Sequence, residues 1–375
     1  MSKKIFNGKK LKNARVYRGK TVDVLAKETK INKKDILAFE GDKYKPTLEN
    51  EMKLANALSF PKDYFSEKDA VNVVVENTHI RTESTLPRVD DIALKEKLVI
   101  THRLLKFIQG YIKFPEMNLP NNLNRNDDIE ELAQKVREFF DLGNGPIGNM
   151  VSLLEINGIF ISATNIDKKG ALAFSQKQSI DKESRYFIAL GNDKKSAPIR
   201  NYDLAYELAY IISVEANIQS KKFSKDEFAC AFLMPKESFL EDLEGVHELE
   251  DYIELKKKWI VPIWAMILRG YQLGKVSYKK YMYLMNQIDK KGWSKKEPLD
   301  DNIKSTHPIL LKKSFDMLIE SKLMNEGLFM NNLANYGLSI YPQDIEELFG
   351  LKEGTLSKNI NKYNKDNVRT VNFRK

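Results

Sequence analysis

Apolar positions recur at three- and four-residue intervals along most of this chain, and short alternating runs are confined to its middle. The spacing predicts helices over Lys9–Tyr17, over Val22–Thr29 behind a capping Thr21, and over Lys33–Glu40 behind a capping Asn32. Gly41–Thr47 reads as a turn and Leu48–Leu58 as a fourth helix. Val71–Val75 is a short strand-like run, followed by a loop over Thr82–Arg88. Ile92–Ile112 carries Leu94, Leu98, Leu104, Leu105 and Ile108 near one stripe and is stopped by Pro115 and Pro120. Beyond it come helices over Ile129–Phe140 and Ile147–Glu155. Strands follow over Ile159–Ala163, Ala171–Phe174 and Arg185–Leu190, then helices over Asn201–Glu215 and Lys225–Met234. The last part is helical by pattern, with Leu310, Leu311, Phe315, Leu318 and Ile319 on one stripe and a smaller pair over Leu333–Tyr336 and Asp344–Phe349. The fold class expected is mainly α with a small β-sheet, α+β.

Composition narrows the class. Of 375 residues, 42% are hydrophobic and 30% charged, enough apolar material for more than one core. No apolar run is long enough to span a membrane, and the basic start MSKKIFNGKK lacks the apolar segment of a signal peptide. A single cysteine, Cys230, excludes an internal disulfide framework. These features predict a cytoplasmic protein with no membrane contact. The net charge of +9 is uneven: residues 1–65 hold 16 lysines and arginines against 8 acidic residues, so the other 310 residues net only +1. A basic end on a nearly neutral body points to a polyanionic partner for that end.

The basic end has a recognisable pattern. "GKKLKNARVYRGKTVDVLAKETKINKKDILAFEGDKYKPTLENEMKLANALSFPKDYF" resembles the lambda-repressor-like (XRE) helix-turn-helix domain, through Gly8, Leu11, Arg15, Thr21, Leu25, Ala26, Ile36, Glu40, Pro46 and Leu54 among others. It departs from the family at one place: Gly41 directly follows Glu40, where the family has Glu-x-Gly. The third helix would enter the major groove of a double-stranded DNA operator, with Asn32, Lys33, Lys34 and Ala38 placed toward base edges. Thr21 would meet a phosphate, joined by Lys20, Lys43 and Lys45. Such a module reads few base pairs, so a homodimer on a two-fold site is expected.

The stretch "NYDLAYELAYIIS", residues 201–213, has the frame of a His-Glu-x-x-His zinc-protease helix with its glutamate present as Glu207 and both histidines replaced, by Tyr206 and Tyr210. The surrounding segments resemble the ImmA/IrrE family of metallopeptidase-like proteins. "LLEINGIFI" matches its helix-to-strand entry, "FACAFLMP" its Phe-Ala-x-x-Leu-Leu-Met-Pro signature, and Leu255–Pro298 its downstream helices ending in Gly-Trp-x-x-x-Glu-Pro. Two histidines at i and i+4 hold zinc through neutral imidazoles, whereas a phenol near its reference pKa of about 10 is a poor ligand. The family's third ligand is an acid ahead of the Phe-Ala signature, where this chain reads Lys222-Phe-Ser224, with Asp226 and Glu227 nearby. No second histidine stands at ligand spacing. His79 and His102 read as lone surface or packed histidines, and Tyr202, Tyr206 and Tyr210 as an aromatic stripe in the core or lining a vestigial cleft.

The organisation expected is a helix-turn-helix domain over 1–66, a connector with a long bracing helix over 67–125, a zincin-like α+β domain over 126–298 and a helical segment over 299–375. The function implied is a repressor-type DNA-binding regulator. Its peptidase-like body has lost its metal and senses an inducer protein or small ligand, in a prophage or mobile-element setting. No cofactor, zinc included, is expected. The rivals are a working zinc peptidase that cleaves a repressor, and an antitoxin or protein-interaction module.

Overall fold

The computed structural model describes residues 5–82, 88–164, 171–191, 196–218 and 223–356. Four helices open the chain: α1 (Gly8–Tyr17), α2 (Val22–Thr29), α3 (Lys33–Glu40) and α4 (Leu48–Leu58). Each starts where the sequence offers a short polar side chain. Asn7, Thr21, Asn32 and Thr47 accept hydrogen bonds from backbone N–H groups of the following first turn, which would otherwise be orphaned. A 3-10 turn, Lys62–Ser66, delivers Tyr64 and Phe65 to the core.

The connector holds a strand, β1 (Val74–Thr82), and a long helix, α5 (Arg88–Gln109). The strand lies later than the apolar run at Val71–Val75 that suggests it. It pairs only along β3, at the edge of the sheet, so backbone hydrogen bonds define it and its polar residues Glu76–His79 fit there. Residues 83–87 of the expected loop lie outside the described residues.

The body runs α6 (Ile129–Phe139), α7 (Met150–Ile156), β2 (Phe160–Thr164), β3 (Ala171–Ile180), β4 (Glu183–Gly191), α8 (Ala197–Glu215) and α9 (Lys225–Leu233). The sheet order is β1-β3-β4-β2, antiparallel except for the β2–β4 pair. Asp181 and Lys182, both at positive φ, close the tight β3–β4 hairpin.

Strand β4 shows why "RYFIAL" is apolar without alternation: both of its faces are buried. Tyr186, Ile188 and Leu190 join a core with α6–α9 and the helices after them, while Phe187 and Ala189 join a second core on the opposite face. That second core contains α5, the first four helices and the C-terminal helices together.

Among the described residues, seven helices complete the body and tail. The first four are α10 (Lys236–Asp242), α11 (Asp251–Trp259), α12 (Ile263–Gln272) and α13 (Tyr278–Lys290). The Gly-Trp…Glu-Pro segment has a structural task here. Glu297 accepts from the backbone N–H of Ile263 at 2.8 Å and of Trp264 at 3.2 Å, capping α12, and pairs with the fully buried Lys256 at 2.7 Å. Next comes α14 (Leu310–Glu320), whose first turn donates Ile309 and Leu310 N–H groups to buried Glu155.

The chain then returns to its start through α15 (Glu326–Asn335) and α16 (Pro342–Phe349). Arg18 donates to both carboxylate oxygens of Asp344, at 2.6 and 2.7 Å, joining α16 to the end of α1. The basic tail after residue 356 lies outside the described residues. Among the described residues, no helix is long and apolar enough to cross a membrane.

Candidate functional site

Helices α2 and α3 meet at a tight joint. Lys30 takes the left-handed conformation that ends α2, Ile31 is buried, and Asn32 caps α3 through Lys34 N–H at 2.9 Å. Arg15 fixes this pair to α1: Nε and Nη2 donate to the two oxygens of Glu40 at 2.5 and 2.8 Å, and Nη1 donates to Lys20 O at 2.9 Å. The unusual exit after α3 is resolved by a one-residue exchange. Gly41 keeps a negative φ, and Asp42 takes φ +54° instead, its carboxylate accepting from Gly8 N–H at 3.0 Å.

Of the residues placed toward DNA by the sequence, Asn32, Lys33, Lys34, Lys43 and Lys45 are exposed. Lys33 pairs with Asp23 at 2.7 Å and Lys45 with Asp42 at 2.5 Å. Lys20 is drawn inward, donating to Glu28 at 2.6 Å and to Ala57 O at 2.7 Å, and Thr21 spends its hydroxyl on the α2 cap. Ala38 is a correction: it is 8% exposed, because it shares the inner side of α3 with Ile36 and Phe39. Leu37, 49% exposed, stands on the outer side instead, three and four positions after Lys34 and Lys33. Helical spacing alone carries that signal.

The second site lies on α8. Pro198 sits in its first turn, and Asn201 anchors it by accepting from Met150 N–H and donating to Ile147 O and Ile260 O. Tyr202 is in the core, while Tyr206 and Tyr210 are half-buried. Glu207 is fully buried. Two neighbours in the sheet reach it: Ser175 on β3 donates to Oε2, and His79, directly opposite Ser175 on β1, approaches the same oxygen with Nδ1 at 3.1 Å. The His79 ring stacks on Tyr210 at 4.5 Å and 19°.

Two residues further along the same face of β1, Arg81 donates to Asp203 at 2.5 Å and lies 4.3 Å from the Tyr206 ring centroid. Asp226 completes the group, accepting from the Tyr202 hydroxyl at 2.7 Å. Of the two acids near the Phe-Ala signature, Asp226 is therefore the one at this site.

His79 is a packed residue, one of the two placements read for it, and the β1–β3 ladder brings it from the connector onto Glu207 and Tyr210. His102 is a packed histidine, as read: it is buried, bonded to Gln178, and lowered to about 4 chiefly by burial.

Residues 8–68 match the model of a helix-turn-helix domain, and residues 154–269 match that of the IrrE N-terminal-like domain. The chain joins a helix-turn-helix domain to an IrrE-like domain. No curated protein and no solved structure matches it.

The IrrE-like domain raises the question of zinc, and its residues do not fit the ion. Burial raises the Tyr206 phenol and pushes Tyr210 up to about 12, so both hold their protons more firmly than a free tyrosine. The Arg81 guanidinium covers one phenol and the His79 ring the other. Among the described residues, no group of three or more His, Cys, Asp or Glu could hold a metal. Cys230 offers no thiolate: it is buried, and burial pushes its thiol up to about 12. A depression of about 870 Å³ lies elsewhere, lined in part by Arg125, Glu130, Phe223 and Arg269, and does not include the α8 residues.

Proposed function

We propose that this protein is a sequence-specific DNA-binding regulator of repressor type, acting as a homodimer on a two-fold operator. Its IrrE-like domain is a metal-free sensor of a protein partner or small ligand. The observation that carries the reading is the seating of β1 on α8. Glu207, the residue that would activate water in a zinc peptidase, is instead buried and bonded through Oε2 to Ser175 and His79, while Arg81 lies over the neighbouring Tyr206 ring. The covering strand is the same segment that leaves the helix-turn-helix domain. An occupant of the cleft would displace β1 and so act on the DNA-binding end. In the helix-turn-helix domain, Lys33, Lys34 and Leu37 form the outer face of α3, with Asn32 at its start. That face suits a lysine–guanine contact and an apolar contact with a thymine methyl.

Footprinting on the DNA upstream of the gene, at about 150 mM salt with competitor DNA, tests the reading, because nonspecific affinity dominates at low salt. A protected two-fold site supports it; absence of protection removes it. Stoichiometric zinc that a chelator strips together with peptidase activity would replace it with the peptidase reading.

One observation favours a second reading, a protein-interaction module. Val24, Leu37, Tyr44, Leu48 and Met52 are exposed on the helix-turn-helix domain, and three of the five lysines placed toward DNA (Lys20, Lys33 and Lys45) are spent on internal pairs. Binding of a protein that is insensitive to salt, without DNA affinity, would select that reading.

A further inference from the structure

The helix-turn-helix domain is seated on the rest of the chain through a buried polar cluster. Lys10, on α1, is 1% exposed. Its Nζ lies 2.6 Å from Asp69, donates to Gly337 O at 3.1 Å, and sits 4.4 Å from the Tyr64 ring centroid. Arg103, on α5, reaches the other oxygen of Asp69 at 3.0 Å. Glu96, two turns earlier on α5, has Oε1 buried, and it lies within electrostatic reach of Arg103 on its own helix, Asp69 after the 3-10 turn, and Lys9 and Lys10 on α1. Tyr64 feels Glu96, Arg103, Asp69 and Glu67, and Tyr336, at the end of α15, feels Arg103.

The cluster is short of hydrogen bonds. The hydroxyls of Tyr64 and Tyr336, Glu96 Oε1, and Arg103 Nε and Nη1 are buried without a partner. Five buried side-chain atoms in that condition thus gather in this one cluster, while Asp69 Oδ1 is met by Lys10. A domain joint built for permanence would be apolar or fully paired, because each unmet polar atom opposes burial. This one concentrates the unmet atoms where three parts of the chain meet.

We infer that the joint is a proton-controlled latch, in which a protonated Glu96 holds the helix-turn-helix domain seated and an ionised Glu96 loosens it. The direction follows from the surroundings. Burial pushes the Glu96 carboxyl up to about 7; Arg103 opposes this and Asp69 adds to it. Release of the domain would uncover this carboxyl and bring it back toward its ordinary value of 4.5. The seated form therefore binds the proton more tightly. Seating is strongest at acid pH, weakens as pH rises from about 5 to about 7, and levels off above that.

Hydrogen exchange of the full chain, followed by mass spectrometry from pH 5.5 to 8, reads the seat with or without DNA. It stands apart from the test of DNA binding. After correction for chemical exchange, protection of peptides from α1 and α15 is expected to fall at least about fivefold across that range. In Glu96→Gln, which keeps the neutral shape, protection at pH 8 should equal that of the native chain at pH 5.5. Asp69→Asn removes an acid that raises Glu96 and should move the midpoint to lower pH. A native profile flat with pH overturns the inference, as does an unaltered profile in Glu96→Gln or an unmoved midpoint in Asp69→Asn. Glu155, also pushed up to about 7 by burial, caps α14. Loss of the pH response in Glu155→Gln, with its retention in Glu96→Gln, would assign the effect to that carboxyl and overturn the latch.

Discussion

His79 Nδ1 lies 3.1 Å from Glu207 Oε2, although 128 positions separate the two residues in the chain. The histidine comes from a strand outside the segment that matches the IrrE-like domain. It and Ser175, its ladder partner, converge on a carboxylate with no exposed surface. Both contacts fall on Oε2, so they meet one of the two oxygens of this buried carboxyl group and leave Oε1 without a partner.

Removing His79 should therefore cost stability. His79→Ala leaves Glu207 with Ser175 alone, a loss of about 1–3 kcal/mol. Urea unfolding of the native chain and the variant measures it. A difference below about 0.5 kcal/mol would mean that the contact does not hold the strand.

Metal content decides the character of the α8 site. Native protein, purified without chelator, should carry well under one zinc per chain. Tyr206→His combined with Tyr210→His restores two imidazoles at i and i+4 and should raise the zinc content. One zinc per native chain would return the domain to the hydrolases.

For the recognition helix, Lys33→Ala with Lys34→Ala should weaken binding to the specific site by at least about tenfold at moderate salt and flatten the salt dependence. Titration of labelled operator at several salt concentrations shows this. Unchanged affinity would remove α3 from the interface.

The Arg15–Glu40 pair, 12% and 6% exposed, should be structural rather than a DNA contact. Arg15→Ala strands a buried carboxylate and should destabilise the helix-turn-helix domain by about 3 kcal/mol. Arg15→Lys should not restore it, because the two parallel hydrogen bonds need the guanidinium fork. Full rescue by lysine would refute the geometric argument.

Gly337 tests the domain seat from another side. It has φ +86°, and a Cβ there would lie 2.2 Å from Lys68 O. Gly337→Ala should loosen the joint and speed proteolysis between the first domain and the body, with the IrrE-like core intact. An unaltered digestion pattern would show that the joint accommodates the methyl group.

Much of this protein is legible from residue order, because the forces involved are local. Asn7, Thr21, Asn32 and Thr47 announce their helices, since a cap is a bond to a neighbour two or three residues away. The apolar run of β4 announces a strand buried on both sides. That Tyr206 and Tyr210 stand at the two histidine positions of the zinc-peptidase frame is visible in five consecutive letters. Other features depend on contacts between distant segments, and no local pattern encodes those. β1 is a strand because β3 offers it a ladder, so its position was misjudged from a nearby apolar run. His79 has a role because that ladder sets it opposite Ser175 and above α8. Ala38 is buried because the other helices cover its side of α3, and α16 reaches α1 through Arg18 and Asp344 across 326 positions. Sequence by itself determined the elements, the basic end and the tyrosines at the two histidine positions of the zinc-peptidase frame; tertiary structure alone decided what packs around Glu207 and what holds the first domain to the last helices.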